Sequence, residues 1–381
     1  MPLSKGARLA VTFAFVAHGA IFGTWVSRIP AVKGDLGLGE AQLGVALFAA
    51  ALGTLVALPV AGVTVARVGS RPGTAWGVPV FALILPFLAL APNLPVLAVT
   101  LFLLGAAAAM LDVAMNAHSL AVEGTYGRPI LSSFHAGWSF GGLLGAAAGA
   151  LAAAAGVEPF WHFLAVAVVV GVPGAFLERL LLPAEVDRPE VPPSFVKPPR
   201  RLLALAVLGF CGLFAEGAAA DWGAVFLNES VGSGAGVAAL AFACFSVAMA
   251  VMRMLGDAAT VRWGPVTLTR AGGVLAAVGL GGAVVLASVP ATLVGFALMG
   301  AGLATVVPIA FRAAGSVPGI PAGIGIAGIT TVGYAGFLVG PPLIGFVAEA
   351  TSLRAALLIV VGLLLCLAAL AQSTRPAGAA A

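Results

Sequence analysis

Apolar segments of about 20 residues, nearly free of charge, follow one another along the whole chain. A helix of that length crosses the roughly 30 Å hydrocarbon core of a bilayer. A membrane-spanning β-strand would instead alternate apolar and polar residues over about ten positions. The pattern therefore predicts twelve transmembrane helices, at residues 8–28, 41–63, 73–91, 95–118, 131–154, 160–182, 202–227, 235–256, 266–288, 291–312, 322–348 and 354–373.

Composition agrees with an all-α membrane protein. Apolar residues make up 61% of the chain, charged residues only 8%, and the mean hydropathy is +1.13. Soluble domains carry roughly 25% charged residues. The 51 glycines and 25 prolines do not indicate disorder, because helices inside a membrane tolerate both residues when neighbouring helices bind the freed backbone groups.

Basic residues predict the orientation of the helices. If the amino terminus is cytoplasmic, 15 of the 18 Lys and Arg residues fall on the inner side, and Arg28, Lys33 and Arg354 fall on the outer side. We therefore expect a multi-pass protein of a bacterial plasma (inner) membrane with both termini in the cytoplasm. The net charge of +4 indicates no nucleic-acid partner, since the basic residues line membrane edges.

A long polar stretch divides the chain into two halves. Residues 183–201 are rich in Pro and charge and lie between the sixth and seventh predicted helices. We expect an N-terminal six-helix bundle at 1–182, a cytoplasmic linker at 183–201 and a C-terminal six-helix bundle at 202–381. The sequence Arg67-Val-Gly69 recurs as Arg262-Trp-Gly264, an offset of 195 residues, and repeated halves are typical of transporters.

The loop after the second helix of each half resembles a motif of the major facilitator superfamily, G-x-x-x-D-R-x-G-R. The first copy has Ala66 where the motif has its acidic residue. The resemblance covers essentially the whole chain and implies a gating or conformational role for the residues that match, which are Gly62, Arg67, Gly69 and Arg71 in the first copy and Gly256, Asp257, Arg262 and Gly264 in the second.

Three longer stretches are more specific. They are GTWVSRIP at 23–30, EGAAADWGAVFL at 216–227 and GYAGFLVGPPLIGFVAE at 333–349. Together they resemble the MosC/YbjJ-like branch of the superfamily, whose founding name comes from a proposed role with rhizopine, an inositol-derived amine. The resemblance implies the major facilitator fold and a transport function, and substrates across the branch are mostly unassigned.

Two carboxylates in one apolar segment call for an explanation. A charge near the centre of a membrane helix costs roughly 2.5 to 3.5 kcal/mol, so it is ordinarily retained where it faces water, a partner or a substrate. Glu216 lies close to the middle of the seventh helix. Asp221 lies about 7.5 Å further along the helix axis than Glu216 and is rotated from it by roughly 140° about that axis. The two carboxylates are therefore expected to have different roles.

The resemblance implies that helices one, four, seven and ten line the transport cavity. On the fourth helix, Asp112, Asn116 and Ser119 share one face by their spacing. We expect the proton-coupling or substrate-binding residues to be Asp112, Glu216, Asp221, His18, Asn116, His135, Trp138 and Tyr334.

Each of these residues also has a purely structural interpretation. Glu216 can be a neutral core carboxyl, and Asp112 can bond only its own neighbours. Asp221, next to Trp222, can be an outer-leaflet anchor or a partner for Arg28. His18 can brace a helix contact, and His135 and Trp138 can be packing residues rather than a surface for a sugar-like ring.

Two other features have mechanical interpretations. Gly340, Pro341 and Pro342 predict a hinge or gate in the eleventh helix, because prolines remove backbone donors and bend a helix. Trp25 and Arg28 are expected to be interfacial anchors at the outer end of the first helix.

Taken together, the sequence predicts a secondary transporter. No ATP-binding loop is present, so an ion gradient or the cargo's own gradient is expected to supply the energy. We expect a monomer that moves a small polar solute, such as a sugar, polyol or amine, by proton-coupled alternating access. The alternatives are a proton-antiport efflux pump for drugs or metabolites and a non-transporting receptor. The histidines and cysteines form no metal motif, so neither an enzyme nor a cofactor is expected.

Overall fold

The structure, a computed structural model, describes residues 3–126, 130–183, 202–318, 320 and 322–375. Its helices are α1 (Leu3–Asp35), α2 (Glu40–Val68), α3 (Ser70–Ala89), α4 (Leu94–Tyr126), α5 (Leu131–Ala154), α6 (Pro159–Gly174), α7 (Leu203–Val225), α8 (Ala235–Ala238), α9 (Leu240–Trp263), α10 (Pro265–Leu286), α11 (Val289–Leu303), α12 (Val306–Gly315), α13 (Ala322–Ala350) and α14 (Leu353–Ala369).

Twelve apolar segments are present in the described residues. Eleven of them are long and apolar enough to cross a membrane. The remaining one, the sixth, is α6, an apolar helix of 16 residues. The tenth of the twelve segments consists of α11 and α12 together. The sixth segment is shorter than predicted, because α6 ends at Gly174, immediately after Pro173, and only a 3-10 turn at Leu177–Arg179 follows. Pro and Gly are the two weakest helix formers. The predicted all-helical, twelve-segment class is confirmed.

The chain forms two compact units. The first comprises Met1–Leu38 and Ala49–Pro193, and the second comprises Gly39–Phe48 and Ser194–Ala381. The beginning of α2 therefore belongs to the second unit, which differs from the predicted division at 182 and 202. The predicted linker at 183–201 lies, beyond Pro183, outside the described residues.

Each unit repeats the same set of helix contacts. In the first, α5 packs along α1, and α3 packs against both α4 and α6. In the second, α13 packs along α7, and α10 packs against both α11 and α14. Numbered by apolar segment, each of these three contacts in the second unit joins segments six places later, so the internal repeat extends to this part of the packing.

The repeat is visible in individual glycines as well. Gly105 packs against the backbone carbonyl of Ala50, and 195 residues later Gly300 packs against that of Phe245. Gly69 and Gly264 precede α3 and α10 with φ values of 81° and 77°. Glycine adopts this left-handed region without the steric cost that a side chain would bring. The motif glycines therefore make the same turn in both halves.

Candidate functional site

His18 connects three helices of the first unit. Trp138 of α5 donates a hydrogen bond from Nε1 to His18 Nδ1 at 2.8 Å, and His18 Nε2 lies 3.3 Å from the carbonyl oxygen of Ala108 in α4. An indole N–H can only donate, so Nδ1 must be the acceptor and Nε2 carries the proton. These two bonds define the neutral tautomer, and a second proton on the ring would break the bond to Trp138.

Aromatic rings surround this histidine. Phe81 lies 5.1 Å from the His18 ring and Phe22 lies 6.0 Å from the Trp138 ring, both measured between centroids. His18 is only 8% exposed, whereas Trp138 is half-buried. His135 is exposed and meets Phe15 edge-on at 5.1 Å. His18 and Trp138 are thus brought together, and His135 contacts a different part of α1.

Asp112 and Asn116 form a second polar pair, one to two turns along α4 from Ala108. Asn116 Nδ2 donates to Asp112 Oδ1 at 3.0 Å and to the Asp112 backbone carbonyl at 2.8 Å. Ser119 Oγ donates to the Asn116 carbonyl at 2.7 Å. The side chains of Asp112 and Asn116 therefore share a face as predicted, whereas the bond of Ser119 goes to the backbone. Asp112 is half-buried, and the structure shows no cation beside it in the described residues.

The two carboxylates of α7 have different surroundings. Glu216 Oε1 lies 4.0 Å from Arg253 Nη2 of α9, with side-chain exposures of 22% and 36%. Asp221 is half-buried and has no hydrogen-bond or ion-pair partner in the described residues. The different roles expected for the two residues thus correspond to different electrostatic environments, because only Glu216 is next to a positive charge.

α13 remains helical through Pro341 and Pro342. Two consecutive prolines leave the carbonyls four residues earlier, at Phe337 and Leu338, without their usual helical donors. Pro341 also packs tightly against Gly44 at the beginning of α2, where an added methyl group would approach the Pro341 carbonyl to 2.7 Å. The weakest turn of α13 is therefore also a tight helix contact within the second unit.

Further residues of α13 have aromatic neighbours. Tyr334 is half-buried, and its ring centroid lies 6.2 Å from that of Phe337. A methyl group added at Gly340 would lie 3.8 Å from the ring of Phe214.

The residues of the two motif loops lie where the helices turn. Gly62 and Gly256 are buried, and Gly256 faces the methyl group of Thr305. Arg67 and Arg262 are exposed at the ends of α2 and α9, and Arg71 is half-buried in the first turn of α3. The side chain of Asp257 lies outside the described part of the chain.

Trp25 and Arg28 are not the lipid-facing anchors that the sequence predicts. Each is only 4% exposed. Trp25 packs against Phe163 of α6, with ring centroids 6.5 Å apart, and Arg28 Nη2 donates to the Val157 carbonyl at 2.6 Å. The expectation was wrong because a position near a helix end does not show whether the side chain faces lipid or a neighbouring helix.

Three contacts could not be found from the sequence. The distribution of basic residues predicts Arg253, like most of the others, at the inner edge of the membrane, yet it lies beside Glu216. His118 joins two segments, since its Nδ1 lies 2.6 Å from Ser70 Oγ and its Nε2 accepts from the Leu182 backbone N–H at 3.1 Å. The thiols of Cys211 and Cys366, which look isolated in sequence, lie close to each other. The sequence signal for the Glu216–Arg253 contact is that Arg253 lies inside the apolar span predicted at 235–256.

The fold and its polar groups define a class of protein. In the described ranges no three His, Cys, Asp or Glu side chains lie close enough together to hold a metal ion. Repeated helical units with polar pairs inside membrane-spanning helices are typical of secondary transporters. The molecule is therefore a multi-pass membrane protein of the transporter class.

The chain belongs to the Major Facilitator Superfamily, whose profile matches residues 10–319. It is 37% identical over 352 residues to the uncharacterized transporter y4wD of Sinorhizobium fredii (strain NBRC 101917 / NGR234). The alignment covers 92% of this chain and 93% of that protein. Membrane protein MosC of Rhizobium meliloti is 32% identical to this chain over 356 residues. That alignment covers 92% of this chain and 86% of MosC.

The fold is similar to the crystal structure of the nucleoside transporter NupG. The TM-score is 0.76 at 15% identity, covering 98% of this chain and 99% of that one. The superfamily and the resemblance to MosC are thus confirmed, and the chain is a transporter and not an enzyme.

Proposed function

We propose that the protein moves a small polar solute by proton-coupled alternating access, with Asp112 as the residue that takes up and releases the proton. The environment of Asp112 carries this proposal. It is half-buried inside a spanning helix, and its side-chain partner is the neutral amide of Asn116. Protonation of Asp112 therefore breaks no ion pair, whereas protonation of Glu216 removes its attraction to Arg253.

The polar groups of the first unit also support the substrate class. Asp112 and Asn116 supply hydrogen-bonding atoms within α4, and Trp138 supplies an aromatic face. Hydroxyl and amine groups bond to such atoms, and a sugar-like ring packs on an aromatic face. We propose a polyol, sugar or amine as the cargo. The remaining members of the predicted set are secondary candidates: His18, Glu216, Asp221, His135 and Tyr334.

The conformational parts of the proposal concern the interior of α13 and the ends of α2 and α9. The Gly340–Pro342 turn and its contact with Gly44 support a hinge or gate in α13, and the matching turns at Gly69 and Gly264 support a conformational role for the two motif loops. The distribution of basic residues supports a membrane orientation with both termini in the cytoplasm. We propose that the protein acts as a monomer in the plasma membrane.

Proteoliposomes with a pH-sensitive dye inside would test the coupling. We expect at least one of myo-inositol, glucosamine and uridine to change the lumenal pH when added to wild-type protein. The Asp112→Asn substitution should reduce that change to the level of protein-free liposomes. The control substitution, Glu158→Gln, removes an exposed carboxylate outside α4 and should leave the change in lumenal pH the same as in wild type. Coupling that survives in Asp112→Asn would show that another group carries the proton.

A further inference from the structure

The end of α1 contains a buried guanidinium with unused donors. Arg28 is 4% exposed, and one of its nitrogens, Nη2, donates to the Val157 carbonyl. Its Nε and Nη1 are buried and have no hydrogen-bond partner in the described residues. A buried guanidinium with a single hydrogen bond, and with no carboxylate bonded to its remaining donors, is unfavourable. The arrangement therefore indicates a bound group that the described part of the chain does not provide.

His162 lies next to this arginine. It is 6% exposed, both of its ring nitrogens are buried without a partner in the described residues, and it interacts electrostatically with Arg28. Its ring edge and Ser27 both approach Gly149 of α5. A neutral imidazole always carries one N–H, so His162 offers a further donor. Thr24, one turn before Arg28 in α1, has a buried hydroxyl that also lacks a partner among the described residues.

The buried charge at this site is positive, and the carboxylates near it are exposed. Val157 lies two residues before the first residue of α6, so Arg28 is bonded to the chain at the N-terminus of a 16-residue helix, where backbone N–H groups favour anions. Asp35 interacts with Arg28 electrostatically but is exposed, and Glu158 is exposed as well. Neither carboxylate supplies a hydrogen bond to the buried donors.

We propose that Arg28 and His162 bind an oxyanion, a carboxylate or phosphate group, at this end of the first unit. Its oxygens accept from Arg28 Nε and Nη1, from the His162 N–H and from the Thr24 hydroxyl. Oxygens with several lone pairs match such a set of donors, and the negative charge compensates the guanidinium. The site uses none of the residues of the proposed proton pathway, so it does not depend on that proposal.

Thermal unfolding of the detergent-purified protein tests the site. Sodium chloride is replaced by sodium acetate or sodium phosphate at constant ionic strength, and a separate series adds phosphatidylglycerol or phosphatidylcholine. We expect acetate, phosphate or phosphatidylglycerol to raise the wild-type Tm by about 2 °C or more. A rise with the salts assigns the site to free anions. A rise with phosphatidylglycerol, but with neither the salts nor the zwitterionic phosphatidylcholine, assigns it to the phosphate of an anionic lipid.

Two variants and one control decide the outcome. Arg28→Gln and His162→Phe should each lose the rise, and the histidine variant keeps the test valid if the arginine variant does not fold. Arg354→Gln is the matched control, because Arg354 also donates to a backbone carbonyl, that of Ser230, but is exposed. The proposal is wrong if no oxyanion raises the wild-type Tm, or if the rise persists in both site variants.

Discussion

The helix pairs α1/α5 and α7/α13 occupy equivalent places in the two units, but they are packed differently. In the first pair, glycines meet backbone. Added methyl groups at Gly19 and Gly141 would overlap the carbonyl oxygens of Trp138 and Val16. In the second pair, Gly217 faces the ring of Phe337, although Gly336 still faces backbone. We call the contact surface of each pair its seam. The α1/α5 seam is therefore determined mainly by main-chain atoms that cannot move aside, and the α7/α13 seam partly by side chains that can rotate.

The polar groups on the two pairs differ in the same sense. Along α1/α5, His18 and Trp138 share a short hydrogen bond between uncharged groups. On α7, Glu216 has a charged neighbour at 4.0 Å, and both side chains are partly exposed. Bonds between neutral groups need close and constant geometry, whereas charges attract over longer distances. The comparison teaches that the first unit has a rigid seam and the second an adjustable one.

The largest expected effect comes from a methyl group in the rigid seam. Gly141→Ala places its Cβ against the Val16 carbonyl, so α5 must move away from α1. Overpacking costs about 1 to 3 kcal/mol, and backbone cannot rotate away, so the upper end of that range is expected. The Tm of the purified protein should fall by about 10 °C.

Gly217→Ala is the matched control in the adjustable seam. Its Cβ would approach Cδ1 of Phe337 to 2.8 Å, and rotation of that ring relieves the contact. We expect the Tm to change by roughly 2 °C or less. Equal losses in the two variants would remove the distinction between the seams.

A smaller effect is expected from the hydrogen bond in the first seam. Trp138→Phe keeps most of the ring but removes the donor to His18 Nδ1. Losing a buried hydrogen bond of this kind costs about 1 kcal/mol, or roughly 2 to 4 °C in Tm. Trp76→Phe, at an exposed tryptophan of α3, should leave the Tm unchanged. An unchanged Tm in Trp138→Phe would mean that the bond does not hold the seam together.

Local and periodic features of this molecule could be predicted from the sequence. The apolar runs identify the helices because bilayer thickness sets their length, and the Asp112–Asn116 pair follows from helical spacing alone. Contacts between distant segments could not be predicted. Hydropathy does not show which face of an apolar helix meets a neighbour, so the His18–Trp138 bond, the burial of Arg28 and the Glu216–Arg253 pair all required the three-dimensional arrangement.

The smallest expected effect belongs to the charged pair of the second unit. Glu216→Gln, Arg253→Gln and the double variant form a thermodynamic cycle that isolates the interaction between the two side chains. At 4.0 Å and with both groups partly exposed, we expect a coupling free energy below about 1 kcal/mol that weakens further as salt is added. Unfolding of the four proteins at low and high ionic strength measures it.

The size of this coupling decides what Glu216 does. A weak, salt-sensitive coupling means that the attraction can be given up when the helices rearrange, as an adjustable seam requires. A coupling of about 3 kcal/mol or more, insensitive to salt, would instead mean a desolvated pair that holds α7 to α9. In that case the second unit would be the rigid one at this position, and the contrast with α1/α5 would be confined to the glycine contacts.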